Sequence, residues 1–217
     1  MNYLAHGRHY THDPYFLAGT AAPDWLSVID RRMRLRSKTV THFTTAADPQ
    51  LAAFARGVMQ HHADDDWFHQ QRAFVELSLQ FTLQIRDLLA PDDGFRPSFV
   101  GHILVELLMD SCLDEDHPQL LPSYYAALQQ LDPDLLQRHI NALATKQTDL
   151  LATFIPRFQT ERFLADYRDN ARLLHRLNQV MRRAKLPLLP ELFLQILPAA
   201  RSAVRERLDD LLPAHSS

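Results

Sequence analysis

Long stretches of the chain repeat apolar residues at helical spacing, and five glycines in 217 residues leave few places for hairpin turns. The pattern predicts an all-α fold. Asp48-Pro49 and Asp132-Pro133 each read as an N-cap followed by proline at the first helical position, where the missing amide proton costs nothing. Arg96-Pro97-Ser98 opens a further helix after the loop APDDGFRP. Helices are expected over about 49 to 89 with a break near Trp67, and over about 98 to 113, 118 to 131 and 133 to 155. Two more are expected over about 158 to 184 and 190 to 212, because Pro187 and Pro190 interrupt the pattern between them.

Length and the absence of low-complexity segments or long charge blocks predict one domain over residues 1–217. A net charge of -3 gives no global basic footprint, which argues against general nucleic-acid binding. The one cysteine, Cys112, excludes an intrachain disulfide and a cysteine-based zinc cluster. The segment MNYLAHGRHYTHDP has no basic region leading into an apolar run, and no stretch reaches the roughly 18 apolar residues of a membrane span. A reduced, cytoplasmic setting is the expectation.

Chemistry concentrates in the first half. Eight of the 12 histidines fall within the first 102 residues. In GVMQHHADDDWFH, the residues His61, Asp65 and His69 recur at i, i+4, i+8 and so share one helix face. The alternative register, His62 and Asp66, does not continue to a third donor, although the sequence leaves both open. In GHILVELLMD, His102 and Glu106 stand one turn apart within the apolar run Phe99 to Met109, with Asp110 a turn further as an acceptor able to orient a histidine. A buried carboxylate without a partner costs several kcal/mol, about enough to demand a metal, a cation or strong hydrogen bonds. Three donors lie upstream: His6 after MNYLA, Asp24 in GTAAPDW after a small-residue turn, and His42 in VTHFTT. Imidazole and carboxylate donors together suit manganese, iron or zinc. One or two such ions are expected.

The opening MNYLAH, with Gly19 and then Asp24 in GTAAPDW, resembles the start of the acyl carrier protein phosphodiesterases, helical enzymes that remove phosphopantetheine from acyl carrier protein with manganese. The ordered motifs PDW, GxxxHxxxDxxxH and HxxxE also resemble those of the zinc-dependent phospholipases C. The resemblance implies a compact multi-helix phosphohydrolase in which His6, Asp24, His61, Asp65, His102 and Glu106 are metal ligands, with His42 and His69 as further candidates. It covers about the first 110 residues. The chain departs from the carrier protein phosphodiesterases at RLRSKTVTHF, where no His-Arg-x-Ile-Asp stretch stands.

On this reading Asp65 or Asp24 is the natural shared carboxylate of a metal-dependent phosphodiester hydrolase, and Asp66 is a candidate general base or acid. The cluster Arg31, Arg32, Arg34, Arg36 and Lys38 is placed to hold a phosphate or an acidic partner surface such as acyl carrier protein. A phospholipase C-like or nucleotide phosphohydrolase is the second reading. The third is a non-catalytic helical binding or scaffold protein whose histidines and acids form structural hydrogen bonds.

Overall fold

The computed structural model describes residues 1–89 and 94–212, and among them every regular element is helical. Ala90 to Asp93 of the expected interhelical loop lie outside the described residues. Two compact units are distinguished: residues 6–65 with 118–163, and residues 1–5, 66–117 and 164 onward. No described helix is long and apolar enough to cross a membrane.

The first of these units is built on α2 (Pro14–Ile29), α3 (Ser37–Val40), most of α4 (Pro49–Phe68), α7 (Leu120–Leu128), α8 (Pro133–Leu143) and α9 (Leu151–Glu161). Both aspartate-proline starts are N-caps: Asp48 accepts from the Gln50 and Leu51 amides, and Asp132 accepts from those of Asp134 and Leu135. Buried Trp25 meets Phe154 and Phe158 edge-on, with ring centroids 6.5 and 5.5 Å away. The helix expected to run on to residue 155 instead stops at Leu143. There Asn141 turns back to bracket Thr148, donating to its carbonyl at 2.8 Å and accepting from its amide at 2.9 Å. An asparagine side chain that offers the backbone such an alternative competes with helix continuation.

GTAAP is not a turn. Its residues lie within α2, which carries Pro23 in its interior, and the small side chains let α2 and α4 approach at Gly19 and Gly57. A Cβ on Gly19 would stand 2.2 Å from the Phe54 carbonyl oxygen, and one on Gly57 would stand 2.0 Å from that of Phe16. Both obstacles are backbone, so neither can step aside.

The other unit contains α5 (Arg72–Leu88), α6 (Pro97–Asp116), α10 (Asn170–Ala184), α11 (Leu197–Glu206) and α12 (Leu208–Leu211). The expected break near Trp67 falls between Phe68 and Arg72. α6 is buried from Leu107 to Asp114, as its apolar sequence requires. The helix expected over 158 to 184 is divided: Arg162 ends α9 with a left-handed backbone, a 3-10 turn spans Phe163–Arg168, and Asp169 caps α10 by accepting from the Arg172 amide. Likewise, a 3-10 turn at Glu191–Gln195 replaces the start of the helix expected from 190. Arginines of this late segment bind back to α6. Arg168 pairs with Asp114, Arg205 with Glu115 and Asp116, and Arg201 donates to the Tyr167 carbonyl at 2.8 Å and to the Ser111 hydroxyl.

Asp110, expected to orient a histidine, instead ties residues 2–5 to α6. Its carboxylate accepts from the Asn2 amide group and from the Leu4 and Ala5 backbone amides, each at 2.9 Å. Burial pushes its pKa up to about 7 against the pull of those donors.

Two outcomes are expected in urea unfolding. Gly57→Ala should lose about 2 to 3 kcal/mol, because the α2 backbone must retreat from the new methyl. Asp110→Asn should lose about 2 kcal/mol, because its amino group would face N–H donors at one of the two accepting oxygens. A loss below about 0.5 kcal/mol in either variant contradicts the corresponding contact.

Candidate metal centre

Helix periodicity puts Gln60, His61, Asp64 and Asp65 on neighbouring positions of α4. The close approach at Gly19 and Gly57 sets the next turn of α2, with Thr20 and Asp24, in the same unit as these residues. His6, on α1 (Tyr3–Gly7), completes the group. The donor atoms of His6, His61 and Asp65 all lie within 4.8 Å of one another.

Hydrogen bonding fixes how the two rings present themselves. The Thr20 carbonyl oxygen only accepts, so His61 Nδ1, 2.8 Å away, is the donor. His6 Nδ1 lies 3.1 Å from Asp64 Oδ2, and the other oxygen of Asp64 accepts from Gln60 Nε2 at 2.7 Å. Each ring therefore spends a proton at Nδ1, and each Nε2 faces Asp65: His6 at 3.3 Å from Oδ1, His61 at 3.4 Å from Oδ2. If both rings are neutral, lone pairs point at a carboxylate from both sides. A proton on each Nε2, or another cation between them, relieves that opposition.

Two protons are the poorer answer. The rings stack with centroids 4.1 Å apart and planes 26° apart, both residues are buried, and two imidazolium ions in that arrangement repel. His6 Nε2 is itself a buried atom without a hydrogen-bond partner, and Asp24 Oδ2 is another. Burial raises the Asp24 carboxyl above its ordinary range, against the opposing charges of His61 and His6. Burial also acts to raise the Asp65 carboxyl, but its contacts with His6 and His61 win and hold it below the ordinary range. Burial acts to lower His61, but Asp65, Asp24 and the Thr20 carbonyl together hold its imidazole above the ordinary range. Two donors each about 2.1 Å from one ion in tetrahedral geometry stand roughly 3.4 Å apart, which fits the nitrogen-to-oxygen distances here. A divalent cation thus suits the donor set, with Asp64 and the Thr20 carbonyl in the position of groups that fix ligand tautomers.

A second donor group lies in the other unit. His102 Nε2 is 3.1 Å and His69 Nε2 3.6 Å from Glu106 Oε1, and these three donors also fall within 4.8 Å of one another. The Met1 amino nitrogen is 3.5 Å from the same oxygen. Phe74 packs edge-on against both rings, at 5.2 Å from His69 and 4.9 Å from His102. Burial acts to raise Glu106, but the neighbouring ammonium and the two histidines hold its carboxyl below the ordinary range. Each imidazole side chain here is 39% exposed, so solvent can share the charge, and the donors are less committed to an ion than His6 and His61.

The remaining candidates are placed elsewhere. His42 is exposed on the 3-10 turn Thr41–Phe43 and joins neither group among the described residues. The register His61 and Asp65 is the one brought together with His6. His62 instead binds the Leu35 carbonyl through Nε2 at 2.8 Å, and Asp66 is exposed. Arg31, Arg32, Arg34, Arg36 and Lys38 are all exposed, with Arg32 paired to Asp30 and Arg34 bonded to the Met33 carbonyl and to Thr145. Sequence reasoning passed over Asp64, although its i+3 spacing from His61 was a signal that could have found it; its burial now sets it apart in the run of three aspartates. Comparison with protein families, with characterised proteins and with known structures gives no match for this chain.

Proposed function

We propose that the chain is a metal-dependent phosphodiester hydrolase with His6, His61 and Asp65 as its principal ligands and Asp24 as a further donor. One observation carries the reading: two buried imidazoles, each with its Nδ1 already engaged, aim Nε2 at opposite oxygens of one carboxylate. When bound, a divalent ion supplies charge neutralisation for a phosphoryl oxygen and activates water at neutral pH. The chain's own residues orient and hold. Asp64 and the Thr20 carbonyl keep the two rings in the ligating tautomer, and Asp24, with one buried oxygen unpartnered, can accept a proton or complete the donor set. Asp66, being exposed, is a weaker candidate for proton transfer than it was on sequence alone. His69, His102 and Glu106 offer a site for a second ion. Manganese, iron and zinc all suit these donors.

The basic segment supports an acidic macromolecular substrate, of which a phosphopantetheinyl carrier protein is the leading case. Leu35, in the middle of that segment, is bonded to His62, the residue beside His61, so the exposed arginines are tethered to the helix that carries the ligands. A cytoplasmic setting accords with this substrate.

Metal content and activity together test the proposal. Protein purified without chelators or a histidine tag should hold one or two transition-metal ions. His61→Ala and Asp65→Ala should lose metal and hydrolysis together, whereas His42→Ala should change neither. Asp64→Asn should weaken metal affinity about 10- to 100-fold. No bound metal after reconstitution with manganese, iron or zinc would reject the centre and favour a scaffold role. A separate outcome concerns the substrate. Arg32→Glu, Arg34→Glu and Arg36→Glu combined should slow hydrolysis of an acidic carrier protein in a salt-sensitive way while a small chromogenic phosphodiester is cleaved at the original rate. Equal loss on both substrates would remove the basic segment from recognition.

A further inference from the structure

Three described residues other than glycine have a left-handed backbone: Arg96 at φ 49°, Arg162 at φ 45° and Lys185 at φ 57°. All three are cations at positions where glycine would be free of strain. For Arg162 the reason is visible, since its guanidinium lies 4.9 Å from the centroid of the Tyr125 ring, a contact glycine cannot make. Arg96 and Lys185 have something else in common. Both line one cavity of about 590 Å³ in the unit that contains α5 and α6, a size typical of small-molecule sites.

The lining has a divided character. Arg86, Arg96 and Lys185 bring three positive charges, Leu89, Phe95 and Leu186 bring apolar surface, and no described lining residue is acidic. Local structure does not account for this collection. Lys185 closes α10, where helix carbonyls favour a cation, but Arg96 occupies the N-cap of α6, where the helix dipole disfavours one. Arg96 also makes no side-chain capping bond. It is thus disfavoured by backbone conformation and by helix electrostatics at once, and an anion in the cavity would offset both.

We propose that this cavity binds a small amphiphilic organic anion, its carboxylate or phosphate held by Arg86, Arg96 and Lys185 and its hydrocarbon body against Leu89, Phe95 and Leu186. The polar wall sets the charge of the ligand, and the apolar wall requires that the charge be attached to a body larger than an inorganic ion. Guanidinium groups suit both headgroups because they can grip two oxygens at once.

Calorimetric titration of the full chain with monomeric decanoate and decyl phosphate, below their micelle-forming concentrations, tests this. Saturable binding to one site is expected, with 1-decanol and inorganic phosphate each at least about tenfold weaker, the equivalent of one lost charge interaction or its apolar counterpart. Arg96→Gly and Lys185→Gly provide the control for folding, because glycine accepts the left-handed backbone. Both variants should unfold at an unchanged or higher urea concentration, yet bind decyl phosphate at least about tenfold more weakly. The inference is overturned if neither anion binds saturably, if decanol or phosphate alone binds as well, or if both glycine variants keep wild-type affinity. Binding to anionic phospholipid vesicles with none to the monomeric anions would likewise reject it.

Discussion

A neutral imidazole has one proton to give, and where that proton goes decides what its other nitrogen can do. In this chain the Thr20 carbonyl claims the Nδ1 proton of His61, and Asp64 engages Nδ1 of His6. Both Nε2 atoms are thereby turned on Asp65. Everything distinctive about the site follows from those two bonds. Without them each ring could rotate or change tautomer and satisfy Asp65 as an ordinary donor. With them, two buried imidazoles turn their Nε2 lone pairs on one partly exposed carboxylate.

The packing serves that arrangement. Two glycines, Gly19 and Gly57, bring α2 and α4 to backbone contact, and the next residues along each helix toward the site are Thr20 and, a turn on, His61. A hydrogen bond of 2.8 Å between a helix carbonyl and a ring on the neighbouring helix tolerates little change in helix spacing. Helix packing and tautomer choice are therefore one constraint seen at two scales. The second donor group, with half-open imidazoles around Glu106, lacks this degree of confinement and has the means to be satisfied by solvent.

The arginines show how position changes meaning. Those of residues 31 to 36 are exposed, with Arg32 paired to its neighbour Asp30, whereas Arg168, Arg201 and Arg205 are engaged with carboxylates, hydroxyls and carbonyls around α6. Arg96 and Lys185 form a third kind, held at costly backbone angles around a cavity. Composition counts all of them alike.

Periodicity, capping and donor spacing were legible from the residues alone. The helical class, the caps at Asp48 and Asp132 and the burial of α6 follow from patterns within a few residues, and local sequence carries those, whereas the choice of His61 with Asp65 over His62 with Asp66 was left open until the fold brought the first pair to His6. The union of His6 with residues 61 to 65 was expected only through a family resemblance, and the structure supplies its geometry. Other features were decided by contacts between distant segments. Asn141 folding back on Thr148 cut a helix short, close packing kept GTAAP helical, and three N–H donors from residues 2–5 took Asp110 away from any histidine. Asp64 shares a helix face with His61 and Asp66 does not, but that this face is buried and meets the His6 ring of a distant segment was decided by the tertiary fold.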